Sequence, residues 1–339
     1  MKTVLVTGGA GYIGSHTIVE LIQNGYQVIS VDSLINSTEK VFDGIYKITG
    51  VRVSNIPLDL KQTNAAEILS GQLGEIYAVI HFAALKSVAE SVQQPLRYFE
   101  NNLNSLIQIL SFIQKKNIAH FIFSSSCTVY GETENLPLTE DAPFRPTGSP
   151  YGRSKQMCEQ IILDFYNGLQ SQLRAISLRY FNPAGAHPSH LIGESPVNPA
   201  QSLVPVITET AIGRRSQMTV YGNDYPTRDG TCIRDYVHVV DLANAHILAL
   251  KKLESETQLI PVESYNLGIG KGISVLEAIN AFENETKLSL NYQLGARRVG
   301  DLAAVYADSQ KANSQLNWQP KFSIDDIMRD AWAWEKIRS

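Results

Sequence analysis

The stretch TVLVTGGAGYIG, residues 3–14, decides the fold of this chain. Thr3–Thr7 is a short apolar run typical of a buried strand, and residues 12–24 carry apolar side chains at helical spacing before Gly25. The turn between them has glycines at Gly8, Gly11 and Gly14. A strand, a glycine turn and a helix start let a pyrophosphate approach the backbone and face free N–H groups. The stretch therefore predicts a dinucleotide site.

Outward from this stretch, apolar runs alternate with helical patterns. Further strands are predicted over residues 27–32, 51–58, 77–83, 120–125 and 174–180, and helices over 102–115 and 151–166. This alternation predicts an α/β fold with a doubly wound, parallel Rossmann-type sheet. After residue 182 the chain has loops, short helices (203–213, 241–253, 274–285) and a strand at 218–221. We expect a dinucleotide-binding domain over residues 1–181 and a smaller mixed α/β substrate domain over 182–339.

Composition is that of an ordinary soluble enzyme. The chain has 339 residues, 44% of them hydrophobic and 18% charged, with a net charge of −4. Such a balance gives no overall attraction for nucleic acid or for an anionic membrane, so neither is expected as a partner. The three cysteines argue against a disulfide framework, and the N-terminal residues lack a signal-peptide pattern. A cytoplasmic location is expected.

The acid after the second strand favours NAD as the cofactor. Asp32 lies eighteen residues past Gly14, where it can bond the ribose hydroxyls and repel a 2′-phosphate. Residues 33–37 contain no Arg to hold such a phosphate, so NAD is preferred over NADP. Asp59, after the third strand, fits a contact to adenine or an ordinary turn equally well. Lys86, beyond the fourth strand, reaches the cofactor or stays solvated.

A Tyr and a Lys four residues apart are the best candidates for the chemistry. Tyr151 and Lys155 lie on one face of a helix, and Ser126 ends the fifth strand at the sheet edge where ligands bind. A free phenol has a pKa near 10, so it is a poor base at neutral pH. We expect the Lys155 ammonium and a cationic nicotinamide ring to lower that pKa. This set predicts hydride transfer at a substrate hydroxyl.

The chain also resembles a known family through specific motifs. These are TGGAGYIG, HFAALKSVAESV, FIFSSSCTVYG, SPYGRSK, LRYFNPAGAHPSH, GNDYPTRDGTCIRDYVHVVDLANAH, YNLGIGKGISVLE, RRVGD and LNWQP. Together they resemble the UDP-glucose 4-epimerase family, which belongs to the extended short-chain dehydrogenases/reductases. The resemblance runs from about Lys2 to Trp334. It implies a tightly held NAD, a homodimer, and interconversion of UDP-glucose and UDP-galactose through a transient 4-keto sugar with Tyr151 as the base.

The same resemblance assigns roles to individual residues. The catalytic residues it implies are Ser126, Tyr151 and Lys155. The cofactor residues it implies or supports are Gly8, Gly11, Tyr12, Ile13, Gly14, Asp32, Asn36, Ser37, Asp59, Leu60, Phe82, Ala83, Ala84, Lys86, Asn101, Tyr151, Lys155, Tyr180 and Phe181. The UDP-sugar residues it implies are Ser126, Asn182, Ser202, Leu203, Tyr221, Arg234, Arg298, Asp301 and Val305.

Two positions depart from the family pattern. Ser202 stands where an Asn is expected, which removes one hydrogen-bonding amide from the diphosphate or sugar site. Val305 stands where glucose-specific members carry a Tyr, so the resemblance extends the expected range to UDP-N-acetylhexosamines. No metal site is expected, because His187 and His190 lack a third ligand nearby.

Two other functions stay open at this point. A sugar-nucleotide 4,6-dehydratase is a lyase and needs an acid, normally Asp-Glu just after the Ser or Thr of the fifth strand. Here Ser126 is followed by Cys127, Thr128 and Val129, none of which is acidic. A non-catalytic NAD-binding module is the second alternative, although such proteins typically lose the Tyr or the Lys.

Overall fold

The computed structural model describes residues 1–133, 135–168, 173–197, 199–255, 262–298 and 300–338. The strands are β1 (Thr3–Thr7), β2 (Gln27–Val31), β3 (Ser54–Ile56), β4 (Ala78–His81), β5 (His120–Ser126), β6 (Arg174–Tyr180), β7 (Asn182–Ala184), β8 (Met218–Tyr221), β9 (Ile233–Arg234), β10 (Tyr236–His238), β11 (Glu263–Leu267), β12 (Ile273–Ser274), β13 (Tyr292–Gly295) and β14 (Ala304–Val305). The helices are α1 (Tyr12–Gln23), α2 (Lys40–Thr49), α3 (Ala65–Gln72), α4 (Val88–Gln93), α5 (Pro95–Lys116), α6 (Pro150–Gly168), α7 (Leu203–Ala211), α8 (Val239–Ser255), α9 (Val275–Thr286), α10 (Gln310–Gln315) and α11 (Ile324–Arg338), with a 3₁₀ turn at Cys127–Tyr130.

A seven-stranded sheet forms the centre of the described chain. Its order is β11-β6-β5-β4-β1-β2-β3, and every neighbouring pair is parallel. The chain runs outward from β1 to β3 and then restarts beside β1 at β4, so the winding direction reverses between β1 and β4. Ligands bind at such a switch point, beyond the carboxyl ends of the strands. The predicted doubly wound Rossmann-type sheet is confirmed.

Both faces of this sheet are covered by apolar side chains. Along β1, Val4 and Val6 belong to one core cluster and Leu5 to the other, because successive side chains of a strand alternate between faces. On the first face α1 packs against α8, and on the second α5 packs against α3 and α6. This packing on both faces fixes the carboxyl ends of β1, β4 and β5 relative to one another.

The third predicted strand is shorter than expected. We expected residues 51–58, but only Ser54–Ile56 pairs, and it pairs with β2 alone at the sheet edge. An edge strand has one neighbour to hold it, and Ser54 is exposed. The apolar residues outside the pairing, such as Leu58, are buried by loop packing.

The part after residue 182 has its own core and several short sheets. Its apolar cluster includes Val204, Ile207, Phe282 and Ile327. The short sheets have the orders β12-β9-β14, β13-β8 and β10-β7. However, β11 pairs with β6 in the main sheet, and α8 packs on α1. No helix among the described residues is long and apolar enough to cross a membrane.

Candidate active site

The glycine turn brings three backbone segments into close contact. A Cβ added to Gly8, whose φ is +69°, would lie 2.8 Å from the Ala83 nitrogen. A Cβ on Gly14 would lie 2.2 Å from the Gly8 oxygen, which is a prohibitive clash. Gly11 precedes α1 and provides no side-chain cap for it. The helix start is thus left open for an anion, and the glycines fit a bound dinucleotide.

Asp32 is held in place at the end of β2 by three donors. Its Oδ2 accepts from the Ala10 N–H at 3.0 Å, and its Oδ1 accepts from the Leu34 N–H at 2.8 Å and the Ser37 hydroxyl at 3.2 Å. These bonds attach the carboxylate to the glycine turn on one side and to the loop carrying Asn36 on the other. The position suits recognition of a ribose next to the pyrophosphate.

The segment after β4 lies against the glycine turn, at the carboxyl ends of β1 and β4, where this fold binds ligands; the space at this edge is the crevice. Phe82, Ala83 and Ala84 are half-buried there. Lys86 Nζ lies 2.9 Å from the Glu194 carboxylate, and the Tyr12 hydroxyl donates to the Gly185 carbonyl at 2.6 Å. These contacts join the predicted cofactor residues to the segment after β7.

The remaining predicted cofactor positions have mainly structural contacts. Asp59 Oδ1 accepts from the Lys61 N–H at 3.1 Å, as a turn residue does, and Leu60 is buried. Asn101 donates to the Asn102 side-chain oxygen at 3.1 Å. Ile13 lies in the first turn of α1 and is half-buried.

Ser126, Tyr151 and Lys155 come together where β5 ends and α6 begins. The Tyr151 hydroxyl lies near Ser126, whose Oγ accepts from the Thr128 hydroxyl at 3.0 Å. Lys155 is buried, and its Nζ donates to the Ser124 carbonyl at 2.6 Å. Because Tyr151 and Lys155 are one turn apart on α6, one rigid helix positions both.

Burial dominates the electrostatics of this cluster. Burial raises the pKa of Tyr151 to about 12, and the neighbouring Ser126 hydroxyl acts in the opposite direction. Burial also lowers the pKa of Lys155 to about 8. Lys155 is not among the causes of the Tyr151 pKa shift, and the lowered Tyr151 pKa, which we expect with a bound cationic nicotinamide, stays a prediction. The Lys155 ammonium is directed to the Ser124 carbonyl, and desolvation dominates.

Several positioning contacts were not found from sequence. Asn102, adjacent to the predicted Asn101, bonds the backbone of Leu85 at 2.9 and 3.1 Å and the Ser154 hydroxyl at 3.0 Å, which ties the β4 loop to α6. Glu159 forms a buried pair with Arg179, with Oε2 to Nη2 at 2.7 Å. The sequence signal for a role of Glu159 is its position four residues after Lys155, on the same face of the helix.

A second group of predicted residues gathers around β9 and β14. Val305 pairs with Arg234 in the parallel register of these strands. Arg234 donates to the Leu302 carbonyl at 2.8 Å and lies 3.3 Å from the Asp301 carboxylate. Arg234, Asp301 and Val305 are therefore brought together.

Other predicted substrate residues are more dispersed. The guanidinium of Arg298 lies over the Tyr221 ring at 4.2 Å, and both side chains are exposed. Ser202 precedes α7 without capping it, and Leu203 begins that helix. Asn182 begins β7, directly after Tyr180 and Phe181, which are each 5% exposed.

Comparison with known proteins identifies the family. The chain is 44% identical to the UDP-glucose 4-epimerase of Bacillus subtilis (strain 168) over 332 residues, 98% of this chain and 96% of that protein. The chain belongs to the UDP-glucose 4-epimerase family. The broader family model described as GDP-mannose 4,6 dehydratase matches residues 5–331. These 4-epimerases are NAD-dependent members of the extended short-chain dehydrogenases/reductases, as the motifs indicated.

Solved 4-epimerases share the whole fold. A Stenotrophomonas maltophila UDP-glucose-4-epimerase with bound NAD and formylated UDP-arabinopyranose has a TM-score of 0.94, with 42% identity over 100% of this chain and 99% of its own. The Bifidobacterium longum enzyme in complex with NAD⁺ and UDP has a TM-score of 0.93, with 42% identity over 99% of this chain and 98% of its own. Identity at this level favours the epimerase over the dehydratase alternative.

Proposed function

We propose that this protein interconverts UDP-glucose and UDP-galactose by NAD-dependent epimerisation at C4, through a transient 4-keto sugar. The observation that carries this function is the cluster of Ser126, at the end of β5, with Tyr151 and the buried Lys155, which lie one helical turn apart on α6. This cluster lies at the carboxyl edge of the sheet, in the crevice that begins at the glycine turn. Family membership supports the same reaction.

The residues around the crevice suit NAD. The open start of α1 would face the pyrophosphate, and Asp32 would bond the adenosine ribose. The small residues Ala83 and Ala84 leave room for close passage of the cofactor, and Lys86 lies at its rim. When bound, NAD supplies a nicotinamide ring that takes up a hydride from the sugar C4 and returns it.

Tyr151 and its neighbours move the proton. The Tyr151 oxygen takes the proton of the sugar 4-hydroxyl and gives it back to the same sugar oxygen after the sugar has turned its other face. The Ser126 hydroxyl donates a hydrogen bond to the sugar oxygen and stabilises the charge that develops there. Lys155 provides positive charge near the phenol, although its ammonium donates directly to the Ser124 carbonyl and not to Tyr151. General acid–base help of this type contributes about 10²- to 10⁴-fold in rate.

The UDP part of the substrate would anchor the sugar while it turns. Arg234 and Asp301 offer a guanidinium and a carboxylate for the diphosphate and ribose, and Arg guanidiniums suit bidentate phosphate recognition. Tyr221 presents an exposed aromatic ring for the uracil. Arg298, Asn182, Ser202 and Leu203 complete the proposed anchor.

We also propose that UDP-N-acetylhexosamines are substrates. Val305 lies in β14 beside Arg234, and it is smaller than the Tyr of glucose-specific members by about a phenol ring. An acetamido group at C2 would occupy this space. The competing possibility is that Leu302 or Tyr306 closes the gap.

Three coarser proposals concern the whole protein. Exposed apolar side chains on α5 and α6, namely Ile107, Met157 and Leu163, support the homodimer that the family resemblance implies. We define the division at residue 181/182 by the ligand that each part binds and not by packing. Two elements of the second part, β11 and α8, pack against the first part. Three free cysteines are consistent with a cytoplasmic location.

A turnover assay without added cofactor tests the function. The purified protein should convert UDP-galactose to UDP-glucose, because a cofactor regenerated in each turnover need not leave. The supernatant of the denatured protein should contain NAD. A deoxygenated 4-keto product would instead indicate the dehydratase, and absence of any turnover with NAD present would indicate the binding module.

A further inference from the structure

A buried histidine from the second part of the chain contacts two predicted cofactor residues. His246 lies on α8 and is fully buried. Its Nε2 is 2.5 Å from the Tyr180 hydroxyl oxygen, and its ring lies 4.8 Å from the Phe82 ring. His246 therefore packs behind two residues that line the crevice, Tyr180 and Phe82, although it belongs to no cofactor motif.

The partners of His246 define where its proton lies. Nδ1 is 2.8 Å from the Leu242 carbonyl oxygen, which can only accept, so Nδ1 carries the hydrogen. Burial lowers the pKa of His246 to about 4, so the ring is neutral near pH 7. Nε2 of a neutral ring with a protonated Nδ1 can only accept. The Tyr180 hydroxyl therefore donates to His246.

Tyr180 connects this histidine to the reacting cluster. Tyr180 pairs with Ser126 in the parallel register of β5 and β6, and the Ser124 carbonyl accepts from Lys155 Nζ at 2.6 Å. Burial raises the pKa of Tyr180, the neighbouring Ser124 side chain acts in the opposite direction, and Tyr151 raises it further. Two phenols thus lie in one crevice, Tyr180 buried and Tyr151 half-buried, and the Tyr180 hydroxyl donates its hydrogen to a neutral acceptor.

We propose that His246 is a positioning residue for the epimerisation. By accepting the hydrogen bond that the Tyr180 hydroxyl donates, it keeps that phenol neutral and its ring fixed. One wall of the crevice then has a single orientation, and Tyr151 alone exchanges a proton with substrate. The inference rests on the proposed function. It assigns no contact between His246 and substrate or cofactor.

Four variants separate positioning from packing. His246→Leu removes the acceptor, His246→Gln keeps an oxygen that can accept, and Tyr180→Phe removes the donor. We expect His246→Leu to lower kcat by roughly 10- to 100-fold, the size of effect that small misplacement produces, with the KM for UDP-galactose within about twofold. His246→Gln should recover most of this loss. The double variant His246→Leu/Tyr180→Phe should be no worse than the worse single variant, because one interaction is removed once.

A second measurement does not depend on activity. Nitrogen NMR of the histidine rings in the protein as purified should show one ring with a protonated Nδ1 and an accepting Nε2. Only its Nε2 resonance should move substantially in Tyr180→Phe. His120→Leu is the matched control: His120 is buried at the other end of β5, with Nδ1 3.2 Å from the Tyr77 carbonyl. It should retain wild-type kcat.

Distinct results would overturn the proposal. These are wild-type kcat in Tyr180→Phe, equal losses in His246→Gln and His246→Leu, additive losses in the double variant, or an unmoved Nε2 resonance. If His246→Leu does not fold, Tyr180→Phe and His246→Gln still decide the matter, since Tyr180→Phe leaves the Leu242 bond in place. An inactive wild-type protein would refute the proposed function, whereas the NMR result would still report on the hydrogen bond itself.

Discussion

On the cofactor side of the crevice, Ser126 and Lys155 are 8% and 4% exposed and come from β5 and α6, long elements of the main body. On the sugar-nucleotide side, Tyr221 is 40% exposed, and β9 and β14 contribute only two residues each. The proposed reaction requires a rigid, buried side and a more open, exposed side. Proton and hydride transfer need fixed geometry, whereas the sugar must turn while its anchor holds.

The two sides also differ in how their charges are supported. Lys155 and Arg179 are buried and bonded to partners from the sheet or α6. Arg297, next to Arg298, pairs with Asp224 at 2.7 Å at the surface, and water screens such pairs. We infer that substitutions on the buried side affect rate or stability strongly, and that those on the exposed side affect binding moderately.

The largest effect should come from Tyr151→Phe. Removing the phenol oxygen removes the proton acceptor, so kcat should fall by about 10²- to 10⁴-fold. UDP binding should stay unchanged, because the anchor lies around Arg234. Steady-state kinetics and calorimetric titration with UDP measure the two quantities. A variant that keeps more than a tenth of the wild-type rate would show that another group is the base.

The buried pair behind the catalytic helix should matter nearly as much, but for stability. In Arg179→Met the Glu159 carboxylate stays buried without its partner, and the free energy of unfolding should fall by about 3–5 kcal/mol. Denaturant unfolding of the NAD-free protein measures this. Arg97→Met, which breaks the exposed pair with Glu90, is the control and should cost less than about 1 kcal/mol. Similar losses in both variants would contradict the contrast between buried and exposed pairs.

How far the sequence predicted these regions follows the same division. The glycine turn, the Ser at the end of β5 and the Tyr–Lys pair are local patterns, each within one strand, turn or helix. The Tyr180–His246 contact joins residues 66 apart. It depends on how α8 packs against β6, and a local sequence pattern does not encode such packing. The short third strand is similar, because its length depends on having a single neighbour in the sheet.

On the substrate side, the resemblance supplied residue names but not their surroundings. It placed both Arg234 and Arg298 among the UDP-sugar residues. The structure separates them: Arg234 has 19% of its side chain exposed and is held by Leu302 and Asp301, whereas Arg298 is exposed on the Tyr221 ring. Exposure is a tertiary property, so the sequence motifs CIRDY and RRVGD did not distinguish the two arginines.

This difference predicts unequal effects on UDP binding. Arg234→Ala should weaken UDP binding by about 2–5 kcal/mol, since a partly buried charge contact is lost. Arg298→Ala should weaken it by less than about fivefold, because an exposed charge is already screened by water. Calorimetric titration of both variants with UDP makes the comparison. Equal and large losses would indicate that Arg298 is desolvated when UDP binds.

The smallest effect on the principal reaction should come from Val305→Tyr. Residue 305 lies in β14 and pairs with Arg234 of β9. The added ring fills the space beside this arginine, where we propose that an acetamido group fits. Glucose/galactose interconversion should stay within a few-fold of wild type, because the uracil and diphosphate contacts are unchanged and filling an apolar pocket has a modest effect on kcat/KM. Conversion of UDP-GlcNAc to UDP-GalNAc, present in the wild type, should be lost. Val305→Thr has nearly the same volume and serves as the control that keeps both activities. If the wild-type protein does not convert UDP-GlcNAc, the exposed side of the crevice is more closed than its short strands indicate, and Leu302 or Tyr306 occupies the space that Val305 leaves.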